Sequence, residues 1–142
     1  MKLPPDIDFL DDVRLLIYRP RGVIDTETVD KITFVLTEVE RQDPEPFDRF
    51  FDTLAADEVD LNYKHIIQIS TFRRLVYAGK PPVKSAILAT DSAMTNYAQL
   101  HALITRDSPI NVKVFHERKA AAQWLGVPVE RLVALAGQKA PK

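Results

Sequence analysis

Two hydrophobic patterns alternate along the chain. Short apolar runs favour strands, and those that are almost continuous are typical of strands buried on both faces of a sheet. Longer segments, in which apolar residues recur every three or four positions, predict helices with one buried face. The strand-like runs cover residues 13–18, 47–54, 84–90 and 111–116, and the helix-like segments cover residues 26–42, 61–78, 92–105 and 117–125.

Capping residues support the helix boundaries. Asp25 or Thr26 can supply the side-chain oxygen that the N-terminus of the first helix needs, and Asp91 or Ser92 can do the same for a later helix. Gly126 stands where a helix commonly ends. These residues therefore agree with the helices that the apolar spacing predicts.

Shorter segments complete the pattern. Residues 7–10 can pair with the first strand across a turn, residues 23–24 can form a short extended piece, and residues 55–60 are interpreted as a polar connection. Residues 128–137 predict a final helix that a proline opens. The apolar stripe of this helix consists of Val129, Leu132, Val133 and Ala136. Either its own sheet or a second subunit must cover that stripe.

The order of strands and helices predicts the fold class. Strands that alternate with helices indicate an α/β fold with a mostly parallel sheet, since parallel neighbours need a crossover long enough to hold a helix. We expect a mixed sheet of four to five strands with helices packed against it. The 142 residues are an ordinary length for one domain. We therefore interpret residues 1–142 as a single domain, with its core at 13–127 and a C-terminal helix at 128–137.

Composition and charge exclude several classes of protein. Hydrophobic residues make up 46% of the chain and charged residues 27%, which is typical of a globular protein rather than a disordered one. A formal net charge of −1 provides no overall field that would attract nucleic acid. The chain has no cysteine, no signal-like segment and no apolar run long enough to span a membrane. We expect a cytoplasmic protein with no integral membrane segment and no nucleic-acid partner.

Sequence motifs for catalysis, cofactors and metals are missing. The 4 glycines are too far apart to form a dinucleotide- or phosphate-binding loop. His116 and Glu117 begin a segment like a zinc-protease helix, but Ala120 stands where the second metal ligand must be. No serine lies on a glycine-flanked turn. The 3 histidines are expected at helix surfaces or helix ends. We predict no enzymatic activity, no cofactor and no metal site.

Polar side chains cluster where the predicted parallel strands end. In open α/β sheets, ligands bind beyond the carboxyl ends of the strands, which here lead into residues 53–63 and 90–96. We predict partner or ligand contact at six residues of these segments, namely Asp60, Asn62, Tyr63, Asp91, Ser92 and Asn96. The simpler interpretation of most of them is a structural role as helix caps and turn formers.

Acidic and basic residues occupy different stretches of the chain. Residues 43–60 carry seven acids and one base, whereas residues 61–90 carry five bases and no acid. Acids before a helix and bases at its end both complement the helix dipole, which is the favoured explanation. The alternative is a docking patch around residues 73–84 for an acidic partner or a membrane surface.

Several segments resemble one protein family. They are 21–24 (RGVI), 50–53 (FFDT), 72–74 (FRR), 81–88 (PPVKSAIL), 108–115 (SPINVKVF) and 121–126 (AAQWLG). Together they resemble STAS-like proteins of the anti-sigma-factor-antagonist (SpoIIAA-like) type, from about residue 13 to residue 127. The resemblance is strongest to the small stand-alone bacterial proteins that are grouped with CRAL-TRIO lipid-transfer domains.

The resemblance implies a four- or five-stranded sheet with packed helices, no cofactor and no catalysis. Regulatory members of the family dock a partner kinase, and they are switched by phosphorylation of a serine in an Asp-Ser-Ser-Gly turn. The corresponding stretch here is 60–63, in which Asp60 is kept but both serines and the glycine are absent. A phosphoserine switch at this turn is therefore not expected.

Two functions stay open at the level of the sequence. The first is a non-enzymatic regulatory or interaction module that binds a protein partner, or a second copy of itself, through residues 55–63 and 91–96. The second is a binder of a small apolar or lipid-like ligand, held between the sheet and movable helices. The candidate lining residues for such a ligand are Tyr63, Tyr77, Tyr97 and Trp124.

Overall fold

The protein folds into strands and helices that follow the predicted alternation. A computed structural model describes residues 3–133. In chain order the elements are β1 (Ile7–Leu10), β2 (Leu15–Tyr18), β3 (Gly22–Asp25), α1 (Thr26–Gln42), β4 (Asp48–Asp52), β5 (Ala56–Asp60), α2 (Tyr63–Val76), β6 (Val83–Leu88), α3 (Ser92–Ile104), β7 (Ile110–Phe115), α4 (Arg118–Leu125) and α5 (Val129–Val133).

Five strands form the main sheet, in the order β1-β2-β4-β6-β7. β1 pairs antiparallel with β2, and the other neighbouring strands are parallel. β6 and β7 run side by side from the pair Val83–Ile110 to the pair Leu88–Phe115. The predicted α/β fold with a mixed, mostly parallel sheet is confirmed, and so is the pairing of residues 7–10 with the following strand.

Helices cover both faces of this sheet. Alternate residues of a strand point to opposite faces, so Leu15 and Ile17 of β2 pack in the cluster that includes α4 and α5, whereas Leu16 and Tyr18 pack against α1. The three crossovers that carry α1, α2 and α3 all step in the same direction along the sheet, and such crossovers share one hand. α1, α2 and α3 therefore form one layer, and α4 with α5 forms the other.

A second, two-stranded sheet continues from the carboxyl ends of β2 and β4. β3 and β5 pair in parallel, with Ile24 opposite Val59 and Asp25 opposite Asp60. The sequence predicts an extended piece at 23–24, which is confirmed. The interpretation of residues 55–60 as a polar connection is wrong. β5 carries few apolar residues, and it forms because β3, which is distant in sequence, supplies its hydrogen-bonding partner.

Element boundaries differ slightly from the prediction. β2 begins at Leu15 rather than at residue 13, because Arg14 has a positive φ of 50° that breaks the strand. α2 begins at Tyr63, one residue after its cap Asn62. β4, β6 and α2 are each shorter than the runs that predict them. Apolar periodicity thus locates an element more reliably than it locates its ends.

The chain itself covers the inward side of the last helix. Leu132 of α5 is fully buried and packs with Leu125 and Phe115 on the α4 side of the sheet. At Leu132 the apolar stripe is therefore covered by the protein's own sheet, which was one of the two predicted alternatives. Ala136 and the part of the predicted helix beyond Val133 lie outside the described residues.

Candidate functional site

Two of the predicted contact residues act as helix caps. Asn62 Oδ1 accepts a hydrogen bond from the backbone N–H of His65 at 2.8 Å, and Asp91 Oδ1 accepts one from the backbone N–H of Met94 at 2.9 Å. These bonds satisfy backbone donors that a helix N-terminus leaves free. The structural interpretation of Asn62 and Asp91 is therefore sufficient to explain both residues.

The other predicted contact residues lie exposed at the same end of the molecule. Asp60 is the last residue of β5, and Ser92 and Asn96 lie in the first turns of α3. Tyr63 packs its ring against that of Tyr97, with the ring centroids 4.9 Å apart. The phenol of Tyr97 also donates a hydrogen bond to the backbone carbonyl of Leu61 at 2.8 Å. The structure thus brings the two predicted segments together through Tyr97.

A cavity of about 130 Å³ lies next to this junction. It separates the sheet from the layer that α1, α2 and α3 form, and none of the six predicted contact residues lines it. Its walls are mainly apolar and include Tyr18 (β2), Ile32 (α1), Phe51 (β4), Ile69 (α2), Ile87 (β6) and Tyr97 (α3). The cavity therefore offers a small, largely apolar space lined by eight elements, since Ile24 of β3 and Ile110 of β7 also reach it.

A few polar side chains reach the cavity wall. Ser70 of α2 and His101 of α3 are hydrogen-bonded, with Ser70 Oγ 2.7 Å from His101 Nδ1. Ser85 of β6 is 1% exposed, and its buried Oγ has no hydrogen-bond partner among residues 3–133. A buried hydroxyl without a partner loses free energy that a suitable ligand can recover. Ser85 is therefore a polar group of the cavity wall that is able to bond to a ligand.

A buried cationic cluster borders the same wall. Arg73 lines the cavity, is 6% exposed, and donates to the phenol oxygen of Tyr77 at 2.9 Å. Arg49 donates to the same oxygen at 2.9 Å and to Glu40 at 2.8 Å, and Tyr77 in turn donates to Glu40. Burial lowers the pKa of Arg73 and raises the pKa of Tyr77. Arg49 is thus paired with Glu40, whereas Arg73 is linked to that carboxylate only through the phenol of Tyr77.

His101 is neutral at physiological pH. Burial, with a smaller contribution from the charge of Arg73, lowers the pKa of His101 to about 3. One of its ring nitrogens is hydrogen-bonded to Ser70, so the pair is polar but uncharged. The cavity wall therefore combines one fixed cation, Arg73, with neutral hydrogen-bonding groups.

The burial of two of these residues is not predicted from the sequence. Arg73 lies in the last turn of α2, which agrees with the favoured helix-dipole explanation, but it is buried, so the alternative of a docking patch is wrong at this residue. His101 is predicted at a helix surface or a helix end; it lies in the last turn of α3, and it faces Ser70 in the cavity wall. The available signal was spacing, since Ile66, Ser70, Arg73 and Tyr77 all lie on the buried face of α2.

The four aromatic residues proposed as ligand lining occupy different places. Only Tyr97 lines the cavity, and Tyr63 packs on the outside of it. Tyr77 belongs to the cationic cluster. Trp124 lies on the opposite face of the sheet, where its ring centroid is 5.5 Å from that of Phe115. Of the four residues, Tyr97 lines the cavity and the other three do not. Spacing alone does not show which face of the sheet a helix covers, so the other three positions were not predictable.

Comparison with solved structures decides the fold family. The chain is similar to an uncharacterised protein from Shewanella loihica PV-4, described as a DUF3478 family member with a SpoIIAA-like fold. The two share 17% sequence identity and a TM-score of 0.54, over 84% of this chain and 90% of the other. This chain has a SpoIIAA-like fold. No protein-family model and no curated protein matches the sequence.

The SpoIIAA-like fold confirms part of the expected resemblance. Residues 60–63 lead into α2 and contain no serine. Their correspondence to the phosphoserine turn of regulatory family members stays a prediction. The grouping with CRAL-TRIO domains stays a prediction.

A second polar cluster lies at the carboxyl end of β4, on the face opposite the cavity. Asp52 is 1% exposed and accepts hydrogen bonds from Arg118 at 2.9 and 3.2 Å, and it also pairs with Arg19. Burial lowers the pKa of Arg19, whose Nε and Nη2 are buried without partners. This cluster joins the end of β2 to the start of α4, which is a structural role within the SpoIIAA-like fold.

The described residues form neither a metal-ligand cluster nor a membrane-spanning helix. Within residues 3–133, no three His, Cys, Asp or Glu side chains are grouped so that they could hold a metal ion. None of the described helices is both long and apolar enough to cross a membrane. The cavity beside Ser70, Arg73, Ser85 and His101 is therefore the site that the geometry singles out.

Proposed function

We propose that this protein is a non-enzymatic module that binds a small, largely apolar ligand in the cavity between its sheet and its helix layer. The observation that carries the proposal is a mainly apolar cavity whose wall contains the buried, unpartnered hydroxyl of Ser85. Ligand sites are typically apolar, with a few polar groups that fix the orientation of the ligand. A SpoIIAA-like fold is consistent with a regulatory role for such binding.

The size of the cavity limits the ligand. Drug-sized ligands occupy roughly 300–1,000 Å³, whereas this cavity measures about 130 Å³. An engineered apolar cavity of about 150 Å³ in another protein holds a benzene molecule. The proposed ligand therefore has about six or seven non-hydrogen atoms, which supports a short-chain compound rather than a complete lipid.

The proposal that the protein is not an enzyme takes account of the Ser70–His101 pair. A general base works best when its pKa lies near the working pH, and the pKa of His101 is about 3 because of burial. Ser70 lies in the middle of α2 and is fully buried. In the described part of the chain, no carboxylate is hydrogen-bonded to His101 to orient it. These features support a structural or ligand-contacting pair rather than a nucleophile with its base.

The cytoplasmic location also stays a proposal. The absence of cysteine from the sequence supports it, since disulfides are characteristic of oxidising compartments. Purification of the native protein from fractionated cells would test it.

A cavity-filling variant tests ligand binding. Ile69 lines the cavity, whereas Ile67 on the same helix is 47% exposed. We expect 1-pentanol to perturb the NMR signals of cavity residues in the wild-type protein and in Ile67→Phe, and to leave them unchanged in Ile69→Phe. Equal perturbation in both variants, or no perturbation of the wild type by either 1-pentanol or pentanoate, would contradict the proposed function.

A second candidate function is the docking of a protein partner on the outer face of α2. Three apolar residues are exposed there, namely Ile67 (47%), Phe72 (47%) and Leu75 (67%). The exposed bases Lys64, Arg74 and Lys80 lie on or just after this helix, and residues 61–90 contain no acid. Exposed apolar groups rimmed by charge are typical of protein interfaces. The partner that fits has an apolar surface flanked by acidic residues.

Paired variants test this docking surface. Phe34 of α1 is 64% exposed and serves as the control for Phe72. We expect the wild type and Phe34→Ser to be cross-linked to one acidic protein, and Phe72→Ser not to be. The yield of the cross-linked complex should fall as the salt concentration is raised. Capture that is the same for all three proteins would contradict docking through α2.

A further inference from the structure

The guanidinium of Arg73 lies in the cavity wall without a carboxylate partner. Its hydrogen bond among the described residues is to the phenol of Tyr77, and no carboxylate oxygen of these residues lies within ion-pair distance of it. The nearest acid of the cluster, Glu40, is already paired with Arg49. A buried charge is strongly unfavourable unless it is paired and hydrogen-bonded. Arg73 is therefore a buried cation that has no ion-pair partner among the described residues.

From this juxtaposition we propose that the ligand is a small monocarboxylate with a short apolar chain, its carboxylate paired with Arg73 and its chain among the apolar residues of the cavity. This inference rests on the proposed function and names the class of ligand. Arginine presents parallel N–H donors that match the two oxygens of a carboxylate. The unpartnered Ser85 hydroxyl lines the same cavity and can donate a further hydrogen bond.

The charge of the cluster favours a monoanion. Arg49 and Arg73 contribute two positive charges and Glu40 contributes one negative charge, while His101 is neutral because burial lowers its pKa. One carboxylate ligand brings the sum to zero. A phosphate dianion would leave an uncompensated charge in the buried site, which is costly. The cavity of about 130 Å³ also leaves room for only a short chain beside the carboxylate.

Neutral ligands of the same length are the natural comparison. A neutral alcohol fills the apolar part of the cavity and can bond to Ser85, but it cannot pair with Arg73. Charge-assisted hydrogen bonds are about twice as strong as neutral ones. The carboxylate should therefore bind more tightly than the alcohol, although water solvates it more strongly before it binds.

The test compares sodium pentanoate with 1-pentanol at neutral pH, by NMR titration of the full chain. In the wild type we expect pentanoate to bind at least about tenfold more tightly than 1-pentanol. In Arg73→Met, pentanoate should lose about that factor while 1-pentanol binding is kept. Arg74→Met changes the exposed neighbour of Arg73 and should bind both probes as the wild type does.

Each outcome has a distinct meaning. If 1-pentanol binds the wild type as tightly as pentanoate does, the carboxylate inference is wrong and the proposed apolar site stands. If neither probe binds, the proposed function fails together with the inference. If Arg73→Met does not fold, the comparison of the two probes on the wild type still decides, because it requires no variant.

Discussion

At the scale of single residues, the phenol of Tyr77 joins three charged side chains. It accepts hydrogen bonds from Arg49 and Arg73 and donates one to Glu40. Both guanidinium groups also lie over the aromatic ring of Tyr77. The Cζ atom of Arg49 is 5.2 Å from the ring centroid, and the Cζ atom of Arg73 is 5.0 Å from it. One hydroxyl group therefore satisfies groups that would otherwise be buried without partners.

Removing that hydroxyl should destabilise the protein. Tyr77→Phe leaves two arginine donors and a carboxylate without their shared partner, so we expect the free energy of unfolding to fall by about 1–3 kcal/mol. Urea denaturation measures the change. Tyr63 is exposed, and Tyr63→Phe keeps its ring contact with Tyr97, so this control should change stability by less than about 0.5 kcal/mol. Equal effects of the two substitutions would contradict the network.

Protonation of His101 should couple stability to pH. The pKa of His101 is about 3 in the folded protein, against about 6.5 in an unfolded chain. Between these values the unfolded chain binds a proton that the folded chain does not. The free energy of unfolding therefore falls as the pH falls through this window, by up to about 1.4 kcal/mol per pH unit from this residue.

The slope of stability against pH isolates this contribution. Other groups titrate in the same range, so the comparison is between proteins rather than between pH values. In urea denaturation between about pH 6.5 and about pH 4, His101→Gln should show a shallower slope than the wild type. Gln99→Ala, at an exposed position of the same helix that carries no titratable group, should keep the wild-type slope. A wild-type slope in His101→Gln would show that His101 is not buried in the neutral form.

The residues of the cavity wall were the hardest to predict from the sequence. Arginine is mostly exposed in proteins and histidine is intermediate, so the sequence does not predict that Arg73 and His101 lie in the cavity wall. Their burial depends on Tyr77 and Ser70, which supply polar partners from the buried face of α2. Asn62 and Asp91 were predictable as caps, because a cap depends on a hydrogen bond to a backbone group only three residues away.

At the scale of elements, the last helix shows how a short segment is held. The described part of α5 covers Val129–Val133. It is held by Leu132, which is fully buried against the sheet, and by Arg131, which pairs with Asp12 at 2.9 Å. The ion pair is exposed and contributes little. Burial of Leu132 therefore supplies most of the attachment.

Truncation of Leu132 should weaken the whole fold. Leu132→Ala leaves a cavity in the cluster that includes Leu125 and Phe115, and we expect a loss of about 2–5 kcal/mol in the free energy of unfolding. Val133 is 40% exposed, and Val133→Ala should cost much less. Thermal unfolding of the two variants measures the difference. Losses of similar size would show that α5 is not docked as described.

Strands differ in how far the sequence predicts them. β6 is visible in the sequence as an apolar run, because most of its residues are buried between two layers of helices. β5 is not visible in this way, since its pattern Ala-Asp-Glu-Val-Asp is mostly polar. What makes β5 a strand is its pairing with β3. Non-local pairing of this kind leaves little trace in a local window of sequence.

At the scale of the whole molecule, the layers determine where a ligand can bind. The α4 side of the sheet is filled by the cluster of Leu15, Phe50, Leu88 and Leu132. On the other side, the helix layer leaves the cavity between α2, α3 and the sheet. Alternation of strands and helices predicts both layers, but the cavity depends on how eight elements pack together. The sequence therefore predicts the architecture and not the site.

The position of the cavity also relates the two candidate functions. Tyr97 lines the cavity, packs against Tyr63 and bonds to the carbonyl of Leu61, where α2 begins. The outer face of the same helix exposes Phe72 and Leu75. α2 thus contacts the proposed ligand site on one side and the proposed docking surface on the other.

Intermolecular NOE measurements on the wild-type protein test the central claim most directly. With sodium pentanoate or 1-pentanol added, protons of the probe should show NOEs to the methyl groups of Ile69 and Ile87, which line the cavity, and none to Ile67, which is exposed on the outer face of α2. NOEs to Ile67 without any to Ile69 and Ile87 would show that the probe binds the surface, and would contradict the ligand site.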